Sequence, residues 1–425
     1  MNTLAISLLE EGQSYSEPVY MEGDHLFLPA KVPLKKKDLD LVAMLGITEV
    51  YTEGFLLIGT ASQSEAFVFN PEESASQTQS IGTAKTTVPA SSSETTPAAK
   101  ELPEFTANSP SIIDLANAES NKQENPVHKR LALIIRQLDG IFREIAVPQD
   151  RAKTNISVRH LWALTTNMLK IVDDERSVCL GFILGTPQKN YQLAKSSVVA
   201  TILSILIAQE LKMPDEKIPE IAVGALLHDI GMLRLPQGIV EKRGKLSEEE
   251  TAIIRTHTTH SYNILTRELA YSPAVAAIAL QHHERWDGTG YPYRLVGNAI
   301  DTGARIVCIA DAFEAMICEK PYRNPIIGYL AMKSLVSENA VHFAPNTLKA
   351  FINVMGMYPI GSGVALNDGR IARVVDVHHN IPLRPVVQVI ANNGAVRVSG
   401  GEIIDLLAEK QLFITQALDI SSLVT

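Results

Sequence analysis

The sequence predicts a mainly α-helical protein: a multi-helix bundle with a small N-terminal α/β or β-rich module and a small C-terminal β appendage. Three observations predict it. From His128 to about Met355, apolar residues recur at i, i+3, i+4 spacing, the period of an amphipathic helix. After "MGMYPIGSG" the period drops to two, with Asn-Asp-Gly and Asn-Asn-Gly turn signals between the runs. Ahead of the helical region, Pro71 to Pro110 consists largely of Ser, Thr, Ala and Pro. Such a segment cannot bury enough apolar surface to offset the entropy of ordering it.

In chain order, residues 1–68 carry short apolar runs ("PVYM", "HLFLPA", "TEVYTEGFLLIG") and one helix, "KKKDLDLVAMLG", stopped by Gly46. Residues 69–127 form a flexible linker. Residues 128–189 are a helical lead-in, "HKRLALIIRQLDGIFREIA" and "SVRHLWALTTNMLKIVDD". The main helical domain spans 190–356. Its signals are "YQLAKSSVVATILSILIAQEL", "KIPEIAVGALLHDIG", "SEEETAIIRTHTTHSYNILTREL", "PAVAAIALQHHERW" and "TGARIVCIADAFEAMIC", each read as a helix. Residues 357–425 read as strands, "GRIARVVDVHH", "RPVVQVIAN" and "GAVRVSGGEIIDL".

A chain of 425 residues exceeds one ordinary domain, and 46% hydrophobic content is enough for a real core. A net charge of −9 argues against a binder of nucleic-acid polymers, which needs a basic footprint. A small anionic ligand stays open, because the local field at a site matters more than the total. Cys179, Cys308 and Cys318 match no CxxC spacing and read as neutral thiols in a reducing compartment. The start, "MNTLAISLLEEGQSY", has no basic n-region or small-residue cleavage site. The run "SSVVATILSILIAQ" is short for a bilayer and reads as a buried core helix. The expectation is a soluble, cytoplasmic protein with no membrane partner.

The chemically pointed residues all lie in the helical domain. They are His228 and Asp229 in "LLHDIGM", His257 in "IIRTHTTH", His282 and His283 in "LQHHER", and Asp311 in "CIADAFEA". Four imidazoles with two carboxylates suit Fe, Mn, Zn or a similar ion, whereas Mg and Ca prefer oxygen throughout. Ligands so far apart in sequence belong to a site built between facing helices. Taken singly, each is more often a satisfied core or capping residue, and His260 and the His378/His379 pair keep that structural reading. "HHERWDGTGYP", His282 to Pro292, poses its own problem, since adjacent histidines on one helix point in different directions.

The joint order His-Asp, His, His-His-Glu, Asp-Gly-Thr-Gly-Tyr-Pro, Ala-Asp resembles the HD superfamily of metal phosphohydrolases. More narrowly it is similar to the HD-GYP family of bacterial cyclic di-GMP phosphodiesterases, over about Tyr191 to Met355 and including "KPYRNP". The tail "YPIGSGVALNDGRIARVV" resembles a β extension found behind such domains. The resemblance implies an HD-domain bundle and hydrolysis of cyclic di-GMP to pGpG or GMP. It implies two Fe or Mn ions, or one only, bridged by Asp229. One ion takes Asp229, His257 and His282; the other takes His228, Asp229 and Asp311; His283 sits at the edge or on a third ion. His228 and Asp229 are the implied catalytic pair. Asp287, Gly290, Tyr291 and Pro292 form a lip against substrate, where Gly288 and Gly290 permit a tight turn. Lys320 and Arg323 are the candidates to clamp phosphates, unless they are a solvated surface pair. A GGDEF-type partner and a homodimer fit the same resemblance.

Three positions depart from the family. Ser196 stands where members carry a ligand histidine, Gln192 where trinuclear members have a glutamate, and Met232 where a lysine is common. A hydroxyl or amide is a far poorer ligand than imidazole or carboxylate. This leaves the ion at His228, Asp229 and Asp311 one ligand short. The alternatives are an attenuated enzyme, a cyclic di-GMP receptor or interaction module without turnover, and an HD-type nucleotidase, which leaves the Gly-Tyr-Pro loop unexplained.

Overall fold

The structure is a computed structural model that describes residues 2–21, 25–28, 30–44, 47–58, 125–146, 151–185, 192–242, 244–318, 328–337, 340–378, 381–392, 396–397 and 401–418. The Pro71–Pro110 linker, Gly46 and His379 lie outside them, as do Lys320 and Arg323.

The N-terminal module is α/β. Strands β1 (Asn2–Ala5), β3 (Val19–Met21), β4 (His25–Leu28) and β5 (Glu49–Thr52) form an antiparallel sheet in the order β1-β5-β3-β4. Strands β2 (Ser14–Tyr15) and β6 (Leu56–Ile58) pair separately, and α1 (Lys36–Met44) completes the unit. Its core is small: Leu9, Tyr15, Val19, Leu28, Leu34 and Val50.

The helical region opens with α2 (Pro126–Ala146), α3 (Arg151–Asp174) and α4 (Arg176–Gly185). In α2 the buried residues Leu131, Ile134, Leu138, Ile141, Phe142 and Ile145 fall on one stripe at helical spacing, and the charged residues Lys129, Arg130, Arg136, Arg143 and Glu144 lie on the exposed side. The next helix, α5 (Leu193–Glu210), has no polar face. Every residue from Ser196 to Ala208 is buried, because α2, α3, α6 (Lys217–Leu226), α11 (Thr302–Ile317) and α13 (Pro345–Met355) pack around it. At 18 residues it is long and apolar enough to cross a membrane, but 78% of it is buried inside the protein. It is the axle of the bundle.

Two stretches that read as single helices are broken. Ser247 opens α8 (Glu248–Arg255) with a reciprocal cap: its Oγ accepts the Glu250 N–H, and Glu250 accepts the Ser247 N–H at 2.8 Å. The helix stops at Thr256 and restarts as α9 (His257–Asn263), followed by a π-helical turn, Ile264–Glu268. Likewise α10 (Pro273–Gln281) ends before His282. Both breaks fall at histidines of the candidate cluster.

The C-terminal appendage is an antiparallel sheet ordered β10-β9-β8-β7-β12, with β10 at Val396–Arg397 and β11 (Ile403–Asp405) also on β9. Its longer strands are β7 (Gly363–Leu366), β8 (Ile371–Asp376), β9 (Val386–Asn392) and β12 (Ile414–Leu418). The β7–β8 turn has Gly369 at φ +86°, and Asp368 accepts the Arg370 N–H, as the Asn-Asp-Gly signal requires.

Candidate metal centre

Each buried histidine of the cluster follows the C-terminal end of a helix. His228 comes two residues after α6, His257 directly after the α8 break, and His282 caps α10. The last carbonyls of a helix have no intrahelical partner. The three imidazoles supply one each: Nδ1 lies 2.7 Å from the Ala225 oxygen, the Ile254 oxygen and the Ala279 oxygen respectively. A carbonyl can only accept, so Nδ1–H is the donor in all three. This fixes the tautomer and turns the Nε2 lone pairs inward, the arrangement of metal-bound histidine. Three negative helix-dipole ends meet at the same place, which favours a cation there.

The inward atoms converge. Asp229 Oδ1 lies 3.1 Å from His257 Nε2 and 3.6 Å from His282 Nε2, and its Oδ2 is 3.7 Å from His228 Nε2. Asp311, from the middle of α11, brings Oδ1 to 3.6 Å from His228 Nε2. Two groups of donors result, each with ligand atoms within 4.8 Å of one another: Asp229, His257, His282 and His283, and then His228, His282 and Asp311.

Elementary chemistry says what belongs between them. His257 and His282 face each other Nε2 to Nε2 at 3.4 Å; with Nδ1 protonated on both, two lone pairs point together. His228 Nε2 and Asp229 Oδ1 are buried without a hydrogen-bond partner. Burial disfavours charge on every group. It pushes His282 down, and His283 well down with help from the neighbouring His282. At His228 burial is outweighed by Asp229 and Asp311, which pull the imidazole up to about 9. Burial likewise opposes ionisation of Asp229, but His228 and His257 hold its carboxyl well below the usual range. Two ionised carboxylates thus draw positive charge into the cluster, held by a proton on His228 or by a cation that displaces it, and the donor set fits a divalent metal.

The approach of Asp229 to His257 depends on a close backbone contact. A Cβ on Gly231 would overlap the His257 carbonyl oxygen and the Ser261 nitrogen. Ser261 Oγ clips the two segments, accepting the Gly231 N–H at 2.8 Å and donating to the His228 carbonyl at 2.7 Å. We predict that Gly231→Ala destabilises the protein by roughly 2–4 kcal/mol, as an overpacked backbone contact with no flexible side chain to yield. A thermal or denaturant midpoint equal to the parent's would refute the contact.

The lip is built around a residue absent from the sequence-level candidates. Glu284 is buried, and its Oε1 and Oε2 accept the Tyr293 N–H at 2.6 Å and the Leu295 N–H at 3.0 Å. A Cβ on Gly290 would overlap the backbone of Arg285, Glu284 and His283; Gly288 adopts φ +79°. Tyr291 is thereby laid over His283, ring centroids 4.7 Å apart, and Arg255 sits over the same tyrosine at 5.1 Å. Glu284 was signalled only by adjacency to the histidines.

Of the sequence-predicted residues, His228, Asp229, His257, His282, His283 and Asp311 come together. His283, expected at the edge of the cluster or on a third ion, has a ring nitrogen within the Asp229 group, and His282 lies within reach of both groups. The adjacent histidines manage this because both lie beyond the end of α10. Tyr291, Pro292 and Gly290 line the lip. Asp287, expected on the substrate, is engaged in its own turn, where Oδ1 accepts the Thr289 N–H at 3.0 Å and hydroxyl at 2.7 Å. Ser196 is buried and Gln192 is exposed at the start of α5, while Met232 lies in the turn after Asp229. His378 pairs with Asp405 at 2.7 Å in the β appendage. The Cys179 and Cys308 thiols are pushed up to about 12 by burial and are neutral.

Family models and known proteins match parts of the chain. Residues 186–347 match the HD domain, and residues 363–424 match the KOW domain associated with HD domain. The chain is 35% identical over 193 residues to the cyclic di-GMP phosphodiesterase PA4108 of Pseudomonas aeruginosa, covering 45% of this chain and 46% of that one. It is 40% identical over 155 residues to a cyclic di-GMP phosphodiesterase of Thermotoga maritima, covering 36% and 42%. The chain thus spans about half the length of the curated relatives it matches. A solved HDG"Y"P protein from Bdellovibrio bacteriovorus aligns over 82% of this chain and 97% of its own, at 16% identity and a TM-score of 0.45. Within the helical region, residues 186–347 are an HD domain. Its His282–Pro292 lip carries the Gly-Tyr-Pro string for which the sequence resembles the HD-GYP family.

Proposed function

We propose that the chain hydrolyses cyclic di-GMP to pGpG or GMP at a centre for two Fe or Mn ions. The observation that carries this is the convergence of inward Nε2 lone pairs and two carboxylates beneath the Gly-Tyr-Pro lip. Asp229, His257, His282 and His283 would hold one ion; His228 and Asp311, with Asp229 Oδ2 nearby, would hold the other, since the single Nε2 lone pair of His282 serves one ion at a time. Bound there, divalent cations supply charge neutralisation for a phosphodiester and acidify an attacking water.

The chain's own residues do the rest. The carbonyl-anchored imidazoles stay in one tautomer and need no reorganisation. Asp229 touches members of both groups and fixes their spacing. Tyr291 covers His283 and walls off one side of the centre. On sequence grounds His228 and Asp229 are the catalytic pair and Lys320 and Arg323 clamp the phosphates. Tyr293 and Val296, each 63% exposed beside the lip, are the surface this proposal offers to a GGDEF-type partner. Homodimerisation belongs to the same proposal.

One observation favours a second reading. Ser196 is buried, with its Oγ lacking a hydrogen-bond partner, in the position where family members place a ligand. A receptor with a weakened second ion would look like this. The test is to incubate Mn- or Fe-loaded protein with cyclic di-GMP and follow pGpG and GMP by chromatography, with metal analysis alongside. Turnover by the parent supports hydrolysis. Fewer than two ions and no product, both restored in Ser196→His, would establish the receptor instead. No product and no binding of the dinucleotide under any metal load sinks both.

A further inference from the structure

The lip carries a cation that neither the family-derived site nor the sequence reading assigned. Arg255 closes α8, two residues before His257, and is exposed. Its guanidinium stands 5.1 Å above the Tyr291 ring, and the same ring packs on His283 at 4.7 Å and faces His257 at 6.4 Å. Arg255, Tyr291 and His283 are therefore stacked from solvent down to the metal-ligand group.

Two features make this more than a solvated surface charge. Among the described residues Arg255 has no carboxylate partner, whereas Arg143, Arg234 and Arg370 each pair with one. Its N–H fork is thus uncommitted. Second, the aromatic face restrains a side chain that would otherwise lose about 2 kcal/mol of rotamer entropy on binding. A guanidinium held over an aromatic ring still offers N–H donors, the geometry suited to two oxygens of a phosphate. The position matters as well: α8 ends at the carbonyl that anchors His257, so Arg255 is fixed in register with the ligands.

We infer that Arg255 is an anion-binding residue of this centre, engaging a phosphate oxygen of the dinucleotide at the mouth while the ligand groups engage the diester within. This rests on the phosphodiesterase reading. It also applies to the receptor, since it concerns binding and not turnover.

The test uses the metal-loaded full chain with Arg255→Met and Arg255→Lys, with metal content measured on each. For cyclic di-GMP turnover, Arg255→Met should raise KM roughly 10- to 100-fold, the worth of a charge-assisted hydrogen-bonded pair, with kcat within about threefold and metal content unchanged. Arg255→Lys keeps the charge but loses the fork and should fall between. An unchanged KM overturns the inference, as does a fall in kcat that tracks metal loss, which would mark a structural role. If the parent does not turn over cyclic di-GMP, that result counts against hydrolysis, and calorimetry with inorganic phosphate decides on Arg255. Weaker phosphate binding in Arg255→Met supports the assignment; equal binding overturns it.

Discussion

Asp229→Asn is expected to lower turnover by at least ~100-fold and to cost at least one metal ion per chain. The variant keeps the side-chain shape, so the packing around it should survive and circular dichroism should match the parent. What changes is charge. Asp229 is the sole carboxylate in its group, and His257, His282 and His283 would be left as neutral donors around a cation. Loss of a mere outer partner of a metal ligand already costs about 10- to 100-fold, so loss of a direct carboxylate should exceed that range. If the amide nitrogen turns towards His257 Nε2, 3.1 Å from Asp229 Oδ1 in the parent, it donates to the lone pair that a metal needs. The readouts are metal stoichiometry by mass spectrometry and product formation under saturating Mn. Full metal content with parental turnover would show that the convergence around Asp229 is not a metal centre. The companion Asp311→Asn should spare the first group, because Asp311 contacts His228 from α11 and belongs only to the second.

The helical bundle, the β appendage and the six His and Asp residues that converge were legible in the sequence for one physical reason: each leaves a local pattern. Apolar spacing records which face is buried, turn dipeptides record positive φ, and ligand residue types record metal chemistry. The geometry that makes the cluster work leaves no such record. An amphipathic period runs unbroken through "SEEETAIIRTHTTH" and "PAVAAIALQHH", so both stretches read as continuous helices that carry His257 and His282 mid-course. The helices in fact stop there, and each imidazole takes over a carbonyl that the helix would have bonded. That exchange of a backbone donor for a side-chain donor is invisible to periodicity. Gly231 and Ser261 are similar. Their roles come from a contact between segments thirty residues apart, and neither looks unusual in its own neighbourhood. Asp287 shows the same limit: Asp-Gly-x-Gly reads equally as a ligand loop and as a turn that uses its own carboxylate, and its Oδ1 accepts within that turn.

Glu284→Gln is expected to loosen the lip and to cost roughly 2–4 kcal/mol, the penalty for leaving one or both of two buried N–H groups unsatisfied. The residue is 2% exposed, so water cannot replace the lost acceptor. In the parent, two oxygens receive two amides, Tyr293 N–H and Leu295 N–H. A glutamine has one oxygen and an NH₂ group, so one amide would face a donor whichever way the side chain flips. The consequence should be local before it is global. Glu284 follows the two histidines directly, and the strand it pins carries Tyr291, whose N–H donates to the His283 carbonyl at 3.1 Å. Freed at Tyr293 and Leu295, the loop would lift Tyr291 from His283 and Arg255 from the mouth, while Asp229, His257 and His228 keep their carbonyl anchors. Hydrogen exchange should therefore speed up at residues 291–295 with metal content retained, and KM should rise more than kcat falls. Protection at Tyr293 and Leu295 equal to the parent's would mean that the buried carboxylate does not hold the loop. Loss of metal with an intact lip would reverse the order of dependence, making the ligands, rather than Glu284, the support on which the Gly-Tyr-Pro segment is built.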